Sequence, residues 1–189
     1  MSNAFELLRT RRSVPAINLG EPGPDSGQLH ELLTIASRVP DHGKLVPWRF
    51  IVYSGDAAAR AGARLAELWL AQGNGDDEAR LAQERNRLSQ APLVVGVVSR
   101  AAAHPKIPEW EQTLSAGAAC MALVTASHAM GFAAQWLTGW IAYDAEATAF
   151  LGLEEGERFA GFIHIGTPTT PPVERPRPDL DEIVTTWAG

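Results

Sequence analysis

From residue 109 to residue 130 the sequence favours one long helix, opened after Pro108 and closed by Gly131 in the C′ position. Along it Ser115, Ala116, Gly117, Ala118, Ala119 and Ala122 crowd together, and small side chains let a neighbouring backbone approach closely. The pattern predicts a spine for the domain, with a tight helix contact along it. Cys120 lies within the same run and reads as a packed core residue rather than a reactive thiol. It is the only cysteine, so no internal disulfide can form and no four-ligand structural zinc site can be assembled around thiolates. A reducing cytoplasm fits that usage.

The other elements arrange themselves around the spine. Asn3 with Glu6 forms a capping pattern for a first helix that carries Phe5 and Leu8 and ends at Arg11, Arg12 and Ser13. Asp25 with Gln28 repeats the pattern, and Leu29, Leu32, Leu33 and Ala36 continue at helical spacing until Arg38, Val39 and Pro40. A polar loop through Asp41, His42, Gly43 and Lys44 then leads into an aromatic and β-branched strand over residues 48–53. An Ala-rich helix over residues 57–72 follows, and the very polar residues 76–90 are expected to be exposed and mobile. Residues 93–98 are an unbroken apolar run, the best candidate for a strand buried on both faces. Residues 132–139 and 161–166 supply further strands, and Asp144 caps a short helix between them. Residues 167–178, with Pro171-Pro172 and Arg175-Pro176-Arg177-Pro178, are expected to be extended. No repeat or linker interrupts the 189 residues, which read as a single domain.

Several function classes are excluded early. Sixteen Lys and Arg against 22 Asp and Glu give a formal charge of -6, so no diffuse positive field draws the chain to nucleic acid or to anionic lipid. The first residues lack a basic region followed by an apolar one, and every apolar run is too short to span a bilayer, which points away from secretion and from a membrane. Neither G-x-G-x-x-G nor a P-loop is present. The five histidines show no zinc-protease spacing, and no G-x-S-x-G elbow exists. What remains are anion-binding candidates: Arg11, Arg12 and Ser13, then Arg38, His42 and Lys44, then Arg175 and Arg177. Two guanidinium forks and a hydroxyl can hold a phosphate without a glycine-rich loop. The same residues also suit a favourable helix-end dipole and a solvated tail. Trp48, Trp136 and Trp140 suit a core as well as a stacking surface.

Taken in order, these blocks are specific. Arg11-Arg12-Ser13, the run from Arg38 through His42, Lys44 and Pro47 to Trp48-Arg49-Phe50, Trp110-Glu111-Gln112, Trp136-Leu137-Thr138-Gly139, and Gly161-Phe162 with Gly166-Thr167-Pro168 together resemble the FMN-dependent nitroreductase family. The likeness is greatest to its minimal-length NAD(P)H nitroreductase branch, and it covers nearly the whole chain. It implies an α+β fold with a central mixed sheet surrounded by helices, built as an intertwined homodimer with two FMN sites shared between subunits. It places Arg11, Arg12 and Ser13 at the FMN phosphate, with Arg175 or Arg177 as a further partner. Arg38, His42 and Lys44 with their loop would reach the flavin of the other subunit, and Trp136, Leu137 and Thr138 would line the ring. The stretch Ala126, Ser127, His128, Ala129, Met130 and Gly131 corresponds to a segment associated with the nicotinamide nucleotide. One departure stands out: the branch can carry Arg where this chain has Leu137.

The resemblance implies that NADH or NADPH delivers hydride to FMN and that a second substrate, a nitroaromatic, a quinone or a similar planar acceptor, is reduced in the same cleft by a ping-pong cycle. The chemistry would lie on FMN, with no protein nucleophile and no metal. Two other readings stay open: a flavin-binding or flavin-delivery protein without steady turnover, and a flavin enzyme of the same fold performing dehalogenation, desaturation or flavin fragmentation.

Overall fold

The structure, a computed structural model, describes residues 4–189, so the Asn3 cap lies outside the described residues. Its centre is β5 (Arg158–Pro168), which carries β3 (Leu93–Ser99) on one side and β4 (Ala133–Leu137) with the short β1 (Leu19–Gly20) on the other. Strand β2 (Trp48–Ser54) forms the edge beyond β3. All seven positions of β3 are buried, as its unbroken apolar run predicts. The period of two then sorts its side chains. Val95 and Val97 join Ile163 and Ile165 of β5 on one face, and Val94 and Val98 join Phe162 on the other.

Each face is covered by helices. On the first, α5 (Glu109–Ala129) and α2 (Ser26–Ala36) bury Cys120, Leu123, Leu32 and Ala36 against the valines and isoleucines. A fully buried leucine such as Leu123 contributes about 1.5–3 kcal/mol. On the second face, α3 (Gly55–Ala71) and α6 (Ala145–Phe150) bury Leu65, Leu68 and Ala147. The expected caps are present: Asp25 and Gln28 close a reciprocal capping box on α2, and Asp144 accepts from the Ala147 N–H at 2.8 Å on α6.

Three expectations are corrected. The sheet is antiparallel in every ladder among the described residues, not mixed. Strands β3 and β4, joined by the α5 crossover, do run the same way, but β5 is inserted between them and opposes both. Second, residues 76–90 are not a loose exposed segment. They form α4 (Glu78–Asn86), capped by Asp77, which accepts from the Arg80 N–H at 2.8 Å. Leu81, Glu84 and Leu88 recur on one face of this turn of chain and are all buried. Helix α4 packs so tightly on α3 that a Cβ on Gly62 would stand 1.8 Å from the Arg85 carbonyl oxygen, hence a glycine there. Third, the small residues of α5 do not form one contact surface. Ser115, Ala116 and Ala119 are buried in the chain's own core, while Trp110, Leu114 and Met121 make an outward apolar stripe with open space over Gly117.

The ends of the chain are little buried. Helix α1 (Ala4–Thr10) has no buried residue, and Phe5 and Leu8 are 67% and 62% exposed. Residues 168–189 are exposed throughout, mostly extended as expected, apart from the short α7 (Leu180–Ile183).

Candidate functional site

The segment leaving α1 is laid along β4. The Val14 N–H donates to the Ala134 carbonyl at 3.3 Å, and the Ala16 N–H donates to Gln135 Oε1 at 2.6 Å. This brings Arg11, Arg12 and Ser13 to one end of a surface whose other end holds Leu137 and Thr138. Between them Pro15, Ala16, Ile17, Gln83, Arg87, Gln90, Gln135 and Leu137 line a cavity of about 340 Å³, within the size range of small-molecule sites. No carboxylate lines it.

The two arginines have different duties. Arg12 Nη1 donates to the carbonyls of Thr10 at 2.5 Å and Arg11 at 3.1 Å, and its other nitrogen pairs with Glu174. It thus closes the C-terminus of α1 and holds the tail. Arg11 makes no ion pair among the described residues. Burial, then the charge of Arg177, then that of Arg12 push its guanidinium below its ordinary range. Three cations therefore converge on a corner where, among the described residues, only Glu174 forms an ion pair, an arrangement that an anion of two negative charges would relieve. Arg177 belongs to that corner; Arg175 is exposed and shows no such coupling. Ser13 is exposed beside it.

Arg38, His42 and Lys44 lie elsewhere. A short helical turn, His42–Lys44, sits over the N-terminal half of α5, where His42 Nδ1 donates to Glu111 Oε2 at 2.7 Å. Ser115 Oγ donates to the Pro40 carbonyl at 2.6 Å and accepts from Trp48 Nε1 at 3.1 Å, which fixes the loop on the helix. At the other end of α5, His128 Nε2 meets the Arg12 carbonyl at 2.8 Å. Seventeen residues separate Glu111 from His128, and at about 1.5 Å per residue the two groups of candidates stand about 25 Å apart. One chain cannot bring both to one small molecule.

The ring-lining candidates are partly separated. Leu137 faces the cavity, and Thr138 is exposed at its rim. Trp136 is 39% exposed on the opposite side of the strand, with Nε1 donating to the Ala160 carbonyl at 3.1 Å. A Cβ on Gly161 would stand 2.0 Å from that nitrogen. Of the stretch compared with a nicotinamide segment, Ala126 and Ser127 are buried, and the Ser127 hydroxyl donates to Leu123 within the helix at 2.8 Å. These two offer nothing to a nucleotide, because the last turns of α5 point them into the core. His128 is half-buried with both ring nitrogens against carbonyls, so only Ala129, Met130 and Gly131 remain as surface.

Sequence reasoning missed Asp41, Glu84 and Arg87. Asp41 accepts from the N–H groups of Leu45 and Val46, both at 2.9 Å, and so holds a loop in which Lys44 and Val46 have φ of 58° and 49°. Glu84 and Arg87 were legible only as an i, i+3 charge pair, once residues 78–86 were recognised as helix.

With this geometry in view, the chain matches the family described as the nitroreductase family over residues 8–167. It belongs to that family. The protein named "Putative NAD(P)H nitroreductase YdjA" of Escherichia coli (strain K12) is 38% identical over 166 residues, 88% of each chain. A second so named, from Haemophilus influenzae, is 36% identical over 167 residues, 87% of this chain and 88% of that one. The family is one of oxidoreductases, and the relatives' names make this nitroreductase-family chain an enzyme of that class. Its fold agrees. The crystal structure of a nitroreductase-like family protein from Bacillus cereus superposes with a TM-score of 0.82 at 20% identity, covering 100% of this chain and 98% of that one. The FMN and NADPH-dependent nitroreductase NfnB from Sphigopyxis sp. strain HMH superposes at 0.73 and 22% identity, covering 99% of both.

Proposed function

We propose that the whole chain is one FMN-binding domain, working as a homodimer that takes hydride from NADH or NADPH and reduces a nitroaromatic, a quinone or a similar planar acceptor. The observation that carries this reading is that the short segment after Arg11, laid along β4, leads from the cation corner at Arg11 and Arg177 to the wall of the carboxylate-free cavity beside Leu137. A terminal phosphate fits the first, since charge-assisted hydrogen bonds and like-charge relief both favour a dianion there. A planar heterocycle fits the second, whose walls offer amide groups from Gln83, Gln90 and Gln135 together with the Arg87 guanidinium. When bound, FMN supplies the hydride chemistry in a ping-pong cycle.

The residues of this chain would bind and orient. Arg11, Ser13 and Arg177 would grip the phosphate, while Arg12 keeps α1 and the tail together around them. Leu137 and the Pro15–Ile17 backbone would form one wall of the ring slot. Arg38, His42 and Lys44 are too far along α5 to serve their own chain's cavity, and we assign them to the partner's flavin. The apolar stripe of Trp110, Leu114 and Met121, with Phe5 and Leu8 on α1, is the surface such a partner would cover. Met130 and Gly131 would lie nearest the nicotinamide nucleotide. Among the described residues no helix is long and apolar enough to cross a membrane. A cytoplasmic location fits the lone buried Cys120.

The test is direct. The purified protein is expected to be yellow, to release FMN and not FAD on denaturation, and to bleach when mixed anaerobically with NADH or NADPH. A colourless protein that cannot be reconstituted with FMN would remove the reading, and a yellow protein that does not bleach would favour flavin binding without turnover.

A further inference from the structure

The cavity stands above a buried charge cluster to which the sequence gives no role. Glu84 is fully buried, yet it is held by four donors: Arg87 Nε and Nη2 at 2.5 and 2.6 Å, Trp140 Nε1 at 2.8 Å and Arg80 Nη2 at 2.9 Å. One carboxylate between two guanidinium groups leaves an excess of one positive charge. Of the two, Arg87 is the one that lines the cavity. Its fork to Glu84 uses Nε and Nη2, so Nη1 is left without a hydrogen bond among the described residues, 3.3 Å from where a Cβ on Gly139 would stand. Leu137 contributes no charge on the facing wall.

We propose that Arg87 fixes a positive charge against the flavin ring and raises its reduction potential, with Glu84 as the positioning residue that aims it. The inference rests on the FMN reading above. Hydride uptake places an electron pair on the ring, so a fixed cation at its edge favours the reduced form over the oxidised one. Bidentate pairing with a buried carboxylate removes the rotamer freedom that would let an exposed arginine swing into water. The excess charge remains because Arg80, which does not line the cavity, shares the neutralisation of Glu84.

The test compares holoprotein with Arg87→Gln and Arg87→Lys, reading the reduction potential of bound FMN against a reference dye and the dissociation constant of oxidised FMN. Arg87→Gln is expected to weaken the preference for reduced over oxidised FMN about tenfold, which is a potential lower by about 30 mV for a two-electron couple. Oxidised FMN is expected to bind within about threefold of the parent, since its ring carries no charge for Arg87 to hold. Arg87→Lys, which keeps the charge and exchanges the fork for a single contact to Glu84, is expected to retain most of the potential. If Arg87→Gln loses its circular dichroism signal, the double variant Glu84→Gln/Arg87→Gln removes the buried carboxylate together with its partner, and it carries the same expected loss. An unchanged potential in a flavin-loaded glutamine variant would overturn the proposal. So would an equal fall in Arg87→Lys, which would place the effect on packing around Glu84. A parent protein that takes up no FMN would instead refute the flavin reading itself, and this inference with it.

Discussion

Removing Arg11 separates a ligand-binding group from a structural one by sign as well as size. In the free protein Arg11 is surrounded by its own kind: burial, Arg177 and Arg12 all disfavour its charge, and no carboxylate pairs with it among the described residues. Arg11→Ala is therefore expected to leave the free protein no less stable, because it deletes repulsion and no hydrogen bond. With FMN present the balance reverses. A charge-assisted hydrogen bond to phosphate contributes about 1.5–3 kcal/mol, and at about 1.4 kcal/mol per factor of ten its loss weakens binding roughly tenfold to a hundredfold. Arg12 cannot compensate, since its guanidinium is committed to the α1 carbonyls and Glu174. The assay is a titration of apoprotein with FMN and with riboflavin at fixed ionic strength, beside thermal melts of the free protein. Riboflavin has no phosphate, so its affinity is expected to change little. Unchanged FMN affinity in the folded variant, or an equal loss for riboflavin, would refute the phosphate assignment. A large fall in the melting temperature of the free protein would refute the electrostatic argument.

Three further outcomes follow from the geometry. Gly117→Leu meets open space within the chain and replaces a poor helix former, so the isolated chain is expected to stay folded while sedimentation shows a weakened dimer; an intact dimer would place the interface elsewhere. Gly62→Ala drives a Cβ into the Arg85 carbonyl, must push α4 off α3, and is expected to cost about 1–3 kcal/mol and several degrees in melting temperature. His164 is held down to about 4 by burial and then by Arg87, so it contributes stability that is complete above about pH 6.5 and is lost as pH falls toward 4. That window corresponds to about 3 kcal/mol, and His164→Gln is expected to flatten the acid limb of the stability profile measured by urea unfolding.

The parts legible in the sequence were those in which local pattern and tertiary environment agree. Residues 93–98 are apolar at every position because both sheet faces are covered, and α5 begins and ends at its Pro108 and Gly131 signals. The capping residues Asp25 and Asp144 act where expected because a cap is satisfied by its own next turn. Strand order was not legible: nothing local in residues 158–168 says that they will part β3 from β4. Helix α4 was misread because its composition is polar, and a buried glutamate is indistinguishable in sequence from a solvated one. Only the pairing with Arg80 and Arg87, one turn before and after it, and the Trp140 indole from a distant segment make a charged Glu84 tolerable in the core. The same blindness hid Arg87 from the candidate site, while Arg11 was found by its residue type at a helix end and Leu137 by the family order alone.

The loop over residues 41–47 bears on the proposal that two subunits share each site. Two residues that are not glycine, one of them β-branched, hold left-handed backbone there, and such conformations cost about 1–3 kcal/mol each. Asp41 satisfies the two N–H groups exposed by the turn, and Ser115 and Glu111 tie its neighbours to α5, so the strain is held in place before any ligand arrives. Among the described residues His42 and Lys44 are exposed, and the cavity beside Leu137 is about 25 Å away along α5. In the proposed homodimer, a second copy packed with its α5 reversed against the stripe of Trp110, Leu114 and Met121 would bring its cavity to this strained, pre-held loop. The helix that fills the core would then also set the distance between two half-sites, each completed by the other chain.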